Sequence, residues 1–171
     1  MRKILSLLVV MVATFSIAGL AMAGTVTNPS AAPSGTHLQS GTPNCTQTGS
    51  TVTCAGYELA GVGNANATAE LSATYSATVD CTNKGGKLVP VKSTVQPASS
   101  SADEIEPKNG RLAVPQLTGP AAPTNAEFEA AATCPNGNWT KAVRSGSVTL
   151  TSWTYTLTFT GFSSPYITIT P

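Results

Sequence analysis

The sequence predicts an all-β fold: a disulfide-stapled β-sandwich, immunoglobulin-like or related, of roughly seven to nine strands with at most one short helix. Three observations predict it. Apolar and polar residues alternate with a period of two over long stretches, the pattern of strands with one face in a core. Clusters of Gly, Pro and Asn interrupt those stretches at short intervals. Cys45, Cys54, Cys81 and Cys134 make an even set, enough for two covalent staples. Only 10% of the 171 residues are charged against 41% apolar, which excludes a coiled coil, a helical bundle rich in Glu and Lys, and charge-driven disorder.

Residues 1–23 read as a secretory signal peptide. Met1-Arg2-Lys3 is a short positive start, Ile4 to Leu20 is a mostly apolar run, and Ala21-Met22-Ala23 is a small-x-small cleavage pattern. A run of this length could also anchor in a bilayer, but the polar residues after it carry no Lys/Arg cluster, which favours cleavage and leaves no membrane span. Residues 24–42, rich in Thr, Ser, Pro and Gly, read as a flexible arm. Residues 43–171 are then the sandwich domain, in an oxidising extracellular setting that suits its cysteines.

The first element of that domain is a hairpin. With Gly49-Ser50 as a two-residue type II′ turn, Thr48 faces Thr51, Gln47 faces Val52, Thr46 faces Thr53 and Cys45 faces Cys54 in a non-hydrogen-bonded pair. This spacing predicts a Cys45–Cys54 staple and leaves Cys81–Cys134 to join distant segments. From Ala69 to Cys81 the odd positions are apolar and the even ones polar, a long strand with one buried face. Asn83-Lys84-Gly85-Gly86 is turn material, and Val89, Val91 and Val95 continue an alternating run in which Pro90 demands an edge position. Asn109-Gly110 predicts a hairpin between Glu104–Glu106 and Leu112–Val114. Thr124, three residues before Glu127, has capping-box spacing, so Ala126 to Ala132 reads as the one short helix, in competition with a strand that puts Phe128, Ala130, Ala132 and Cys134 on one face. Near the C-terminus, Val148 and Leu150 share one parity and Trp153, Tyr155, Leu157 and Phe159 the other, which predicts a bulge at Thr151-Ser152. Thr154, Thr156, Thr158 and Thr160 would then form a solvent-facing row, before a last strand at Tyr166 to Thr170.

Chemistry is sparse along this chain. Nine Lys and Arg face eight Asp and Glu, and Arg2 and Lys3 leave with the leader, so no basic surface for nucleic acid is implied. His37, the single histidine, falls in the expected arm and no Gly-x-Ser-x-Gly elbow occurs, which argues against serine–histidine catalysis. No Cys-x-x-Cys pair suggests zinc, Gly61-Val62-Gly63 lacks the third glycine of a phosphate loop, and no cofactor motif is visible. Asp103, Glu104 and Glu106 cluster in a turn-rich segment and read as a solvated acidic loop rather than a catalytic pair or a calcium loop. Asn44, Asn66 and Asn138 each open an Asn-x-Thr acceptor pattern. Among the aromatics, Trp153, Tyr155 and Phe159 belong to a core by their alternation. Trp139, in a loop beside Cys134, is the one candidate for ligand binding.

At Cys81-Thr82-Asn83-Lys84-Gly85-Gly86, Lys108-Asn109-Gly110-Arg111 and Cys134-Pro135-Asn136-Gly137-Asn138-Trp139, the chain resembles small secreted bacterial β-rich proteins of uncharacterised function. That resemblance implies a secreted β-rich fold and no activity. The stapled hairpin is also similar to that of the immunoglobulin-like apoproteins of enediyne chromophores. Their second cysteine pair is local, whereas Cys81 and Cys134 lie far apart here, so the carrier role does not transfer.

The expectation is therefore a secreted, non-enzymatic extracellular module, structural or binding a polysaccharide or another extracellular protein. The competing expectation is an enzyme inhibitor or a hydrolase working through loop residues, with Ala98 to Lys108 or Gly119 to Thr124 as inhibitory loops and Glu104 or Glu106 as catalytic groups.

Overall fold

The computed structural model describes residues 24–171; the expected leader lies outside the described residues. In chain order the first strands are β1 (Gly24–Thr27), β2 (His37–Gly41), β3 (Cys45–Thr48), β4 (Thr51–Cys54), β5 (Tyr57–Ala60) and β6 (Ala67–Thr82). They are followed by β7 (Leu88–Val95), β8 (Ser100–Ile105), β9 (Arg111–Val114), β10 (Leu117–Thr118), the helix α1 (Asn125–Ala131), β11 (Thr140–Val143), β12 (Thr149–Phe159) and β13 (Ile167–Thr170). The all-β, disulfide-stapled, sandwich-like fold is as expected. The strands outnumber the expected seven to nine because proline and glycine cut several long runs into short pieces.

The sixteen-residue strand β6 is the axis of the molecule. Its odd positions from Ala67 to Cys81 are all buried, the alternation read from the sequence. One flank pairs with β12 along residues 67–76 and with β11 along 79–82. The other flank pairs with β8 along 67–71 and with β7 along 75–82. Outside β12 come β13 and then β1, which completes a seven-stranded sheet. Pro90 lies in the edge strand β7 opposite Asp80, where no further strand needs its missing N–H.

The bulge in β12 falls where the parity switch places it. Leu150 opposes Tyr75 and Trp153 opposes Ala73, with the register shifted between Leu150 and Ser152. Both partners are inward-facing residues of β6, so one extra residue turns both sets of β12 side chains toward the core. The threonine row differs from expectation. Thr154, Thr156 and Thr158 are half-buried and only Thr160 is exposed, because the row is flanked by paired strands on both sides.

The second layer is built from two three-stranded sheets, β2-β5-β9 and β3-β4-β10. Because β2 runs into β3, β4 into β5 and β9 into β10, the two sheets lie end to end as one ladder broken at 42–44, 55–56 and 115–116. Pro43 and Pro115 remove donors at two of these breaks. Gly56 lets the chains approach at the third, since a Cβ there would come within 3.0 Å of the Val114 carbonyl oxygen. The layer is tied to the main sheet by hydrogen bonds, one buried and three partly buried. The Tyr57 and Tyr155 hydroxyls meet at 3.0 Å, the Trp153 indole N–H donates to Gln47 Oε1 at 3.2 Å, and the Tyr75 hydroxyl reaches the Ser50 and Pro120 carbonyls at 3.0 and 2.9 Å.

The Cys45–Cys54 hairpin has the predicted register throughout, and the two cysteines' Cα atoms stand 3.9 Å apart. Gly49 takes a φ of 59°, as the first position of a II′ turn requires. The helix also forms, with both arms of the Thr124–Glu127 capping box in place and Phe128 fully buried. It covers the end of β6 that the second layer leaves open, with the Ser93 hydroxyl of β7 donating to the Phe128 carbonyl at 2.8 Å.

Two expectations are corrected. Residues 24–42 are not a free arm: β1 pairs with β13 over four residues and β2 pairs with β5. Both are edge strands exposed along their whole length, held by backbone hydrogen bonds, so they leave no hydrophobic alternation to read. At Asn109-Gly110 both residues have positive φ and the Lys108–Arg111 bridge closes, as a type I′ turn demands. The flanking strands then part company: β8 joins the main sheet and β9 the second layer.

Candidate functional site

At the far end of β6 the second disulfide, Cys81–Cys134, pins two loops against each other with its Cα atoms 5.8 Å apart. One is the β6–β7 turn, residues 83–87; the other is the segment 135–139 leading into β11. The pairing of β11 with β6 places Thr140 opposite Thr82, and the Thr140 hydroxyl donates to the Thr82 carbonyl at 3.1 Å. Behind the loops, Lys141 Nζ caps the helix by donating to the Glu129 and Ala132 carbonyls at 2.8 and 2.7 Å.

Between the two loops lies an open cleft of about 310 Å³ lined by Asn83, Lys84, Gly85, Asn136, Asn138 and Trp139. Trp139 is half-buried, so part of its side chain is covered by the protein and part faces solvent. Each wall is stiffened by a side chain bonded to its own backbone. Asn83 Oδ1 accepts from the Gly85 and Lys87 N–H groups at 2.9 and 2.8 Å, and Asn136 Oδ1 accepts from the Asn138 N–H at 3.1 Å. The backbone closes the first wall as well, through Gly86 N–H to Asn83 O and Asn83 N–H to Lys87 O, both 3.0 Å.

Sequence reading singled out Trp139 but not the opposite wall. The signal was present, since Asn83 and Lys84 follow Cys81 as closely as Asn136 follows Cys134, and pairing those cysteines brings both turns together. The other expected positions fall elsewhere. Trp153 is core, and Cys45 and Cys54 staple the second layer at a distance along the fold.

A second cleft, of about 450 Å³, lies on the outer face of β5 and β9 and is lined by Glu58, Glu106, Lys108, Arg111 and Ala113. Glu58 is held by Arg111 at 3.0 Å. Of the acidic cluster only Glu106 reaches this cleft, and it has no aromatic wall. His37 belongs to β2, inside the domain, where its Nδ1 lies 2.8 Å from the Gly35 carbonyl. Most of Ala98 to Lys108 is β8, bonded along the main sheet, and Gly119 to Thr124 is pinned by Gly119 N–H to Val52 O and by Tyr75 on Pro120. Among the described residues no group of three or more His, Cys, Asp or Glu is placed to hold a metal ion. No helix among them is long and apolar enough to cross a membrane.

No family model, curated protein or solved structure matches this chain, so the functional reading rests on the geometry of its own residues.

Proposed function

We propose that this protein is a secreted, non-enzymatic binding module that holds a polysaccharide in the Trp139 cleft. The leader pattern and the two disulfides support secretion. The observation that carries the binding reading is the half-buried Trp139, fixed beside a disulfide and facing a wall of amides. A sugar presents an apolar C–H face bounded by hydroxyls, and an indole face with hydrogen-bonding groups at its rim matches both parts. The Glu58 cleft offers charges without a flat apolar surface, which suits a pyranose ring less well.

The test is co-sedimentation of the purified, oxidised protein with cell walls and a panel of insoluble polysaccharides. Retention by one polymer, falling about tenfold or about 1.4 kcal/mol in Trp139→Ala, is the expected result. Retention that survives the substitution would move the site elsewhere, and no retention by any polymer would remove the sugar reading.

A further inference from the structure

Donors outnumber acceptors among the side-chain groups this cleft leaves free, Asn138 alone contributing an unengaged amide oxygen. The Oδ1 atoms of Asn83 and Asn136 already accept backbone N–H groups, so the part of each amide that stays wholly uncommitted is its NH2, a pure donor. Lys84 adds an ammonium, and it enters neither of the two ion pairs found among the described residues. A neutral sugar hydroxyl both donates and accepts, whereas a carboxylate only accepts, and a lining with donors in excess and a free ammonium favours the second.

The charge layout along β6 agrees. Lys84, Lys87, Lys92, Lys141 and Arg144 all belong to the turn or strands beside residues 75–82. Three carboxylates stand among them, Asp80 paired with Arg144 at 2.7 and 3.2 Å, Glu127 in the helix cap and Glu129 on the Val143 N–H at 3.2 Å, so this end keeps a net of two positive charges. Glu58, Glu70, Asp103, Glu104 and Glu106 lie toward the opposite end, beside or beyond residues 67–71, where Lys108 and Arg111 leave a net of three negative charges. The protein thus has a nearly neutral total but one positive end, and the Trp139 cleft sits in it. Such a field draws an anionic chain toward the cleft.

We infer that the polymer taken by this cleft is acidic: a polysaccharide bearing uronate carboxylates, one sugar face on Trp139 and a carboxylate among the Asn83, Asn136 and Lys84 donors. This rests on the reading of the cleft as a sugar site. Affinity electrophoresis of the oxidised protein separates the two ideas with three embedded polymers: polygalacturonate, its methyl ester and polyglutamate. Retardation by polygalacturonate alone is expected, weakened about fivefold by Lys84→Gln and about tenfold by Trp139→Phe or Trp139→Ala. Lys84 is exposed in a turn, and all three variants are checked for an unchanged unfolding midpoint. Equal retardation by the methyl ester, lost in the Trp139 variants, would overturn the acidic class and leave the sugar site standing. Equal retardation by polyglutamate would show charge alone at work, and retardation by none would remove both readings.

Discussion

The two tyrosines that join the layers show how much one buried pair carries. Burial, above all, pushes the Tyr57 hydroxyl far above its ordinary range, and burial likewise raises Tyr155. One hydroxyl donates to the other at 3.0 Å. Tyr57→Phe leaves the Tyr155 oxygen buried and alone, and urea unfolding is expected to show a loss of about 1–3 kcal/mol. Adding Tyr155→Phe should recover part of that loss, since no orphan remains. The pH dependence has a definite sign. Unfolded tyrosines release protons near pH 10 while the folded pair retains them, so the unfolded chain binds fewer protons and stability falls as pH rises past about 10. The decline should be shallower in the double variant. Glu104 is a different kind of residue. It takes a φ of 49° at a bulge in β8, where two residues oppose Thr68 alone, a conformation that costs a side chain about 1–2 kcal/mol. Glu104→Gly removes that strain against a smaller entropy cost of about 0.5–1 kcal/mol, so a net gain of up to about 1 kcal/mol in urea is expected. Nothing in the sequence announced this position, because left-handed backbone is readable at Asn109-Gly110 and not at a glutamate.

Elements whose information lies in side-chain periodicity or turn chemistry were legible: the stapled hairpin with its register, β6, the β12 bulge and the capped helix. Those held by backbone pairing alone, β1 and β2, were not, and neither was the parting of β8 from β9, since a turn fixes how two strands meet and not how far they stay together. The cleft was half legible for the same reason. Trp139 is conspicuous as a residue, while its opposite wall is assembled only when Cys81 and Cys134 are joined. That bond closes a span of 53 residues, against 9 for Cys45–Cys54. Loop-closure entropy therefore assigns it about 4 kcal/mol and the hairpin staple about 3 kcal/mol. Replacing Cys81 and Cys134 by serine should lower the unfolding free energy more than replacing Cys45 and Cys54. Polymer retention should also fall in the first pair of variants under conditions where both remain folded, because only there are the two walls released.

At the scale of the whole molecule, a sandwich of open sheets has edges, and most of them here are guarded against pairing with another chain. The β7 edge carries Pro90 and Lys92, the β2–β3 edge meets Pro43, and the β9–β10 edge carries Arg111 and Pro115. The β1 edge carries neither proline nor a charged side chain: Gly24-Thr25-Val26-Thr27 is exposed throughout, with Val26 at 66% of its free surface. Its shortness is its main protection, since four residues offer few outward-facing backbone groups. Weak self-association through this edge is expected at high protein concentration, visible as a rise in apparent mass by static light scattering. Val26→Lys should suppress it by placing like charges against each other across the pairing, while leaving stability within about 0.5 kcal/mol because the side chain is mostly in solvent. Association that persists unchanged in that variant would locate the contact at another edge. The end bearing the Trp139 cleft would be the next to test, since Leu88 is exposed there and adjoins the cleft's turn.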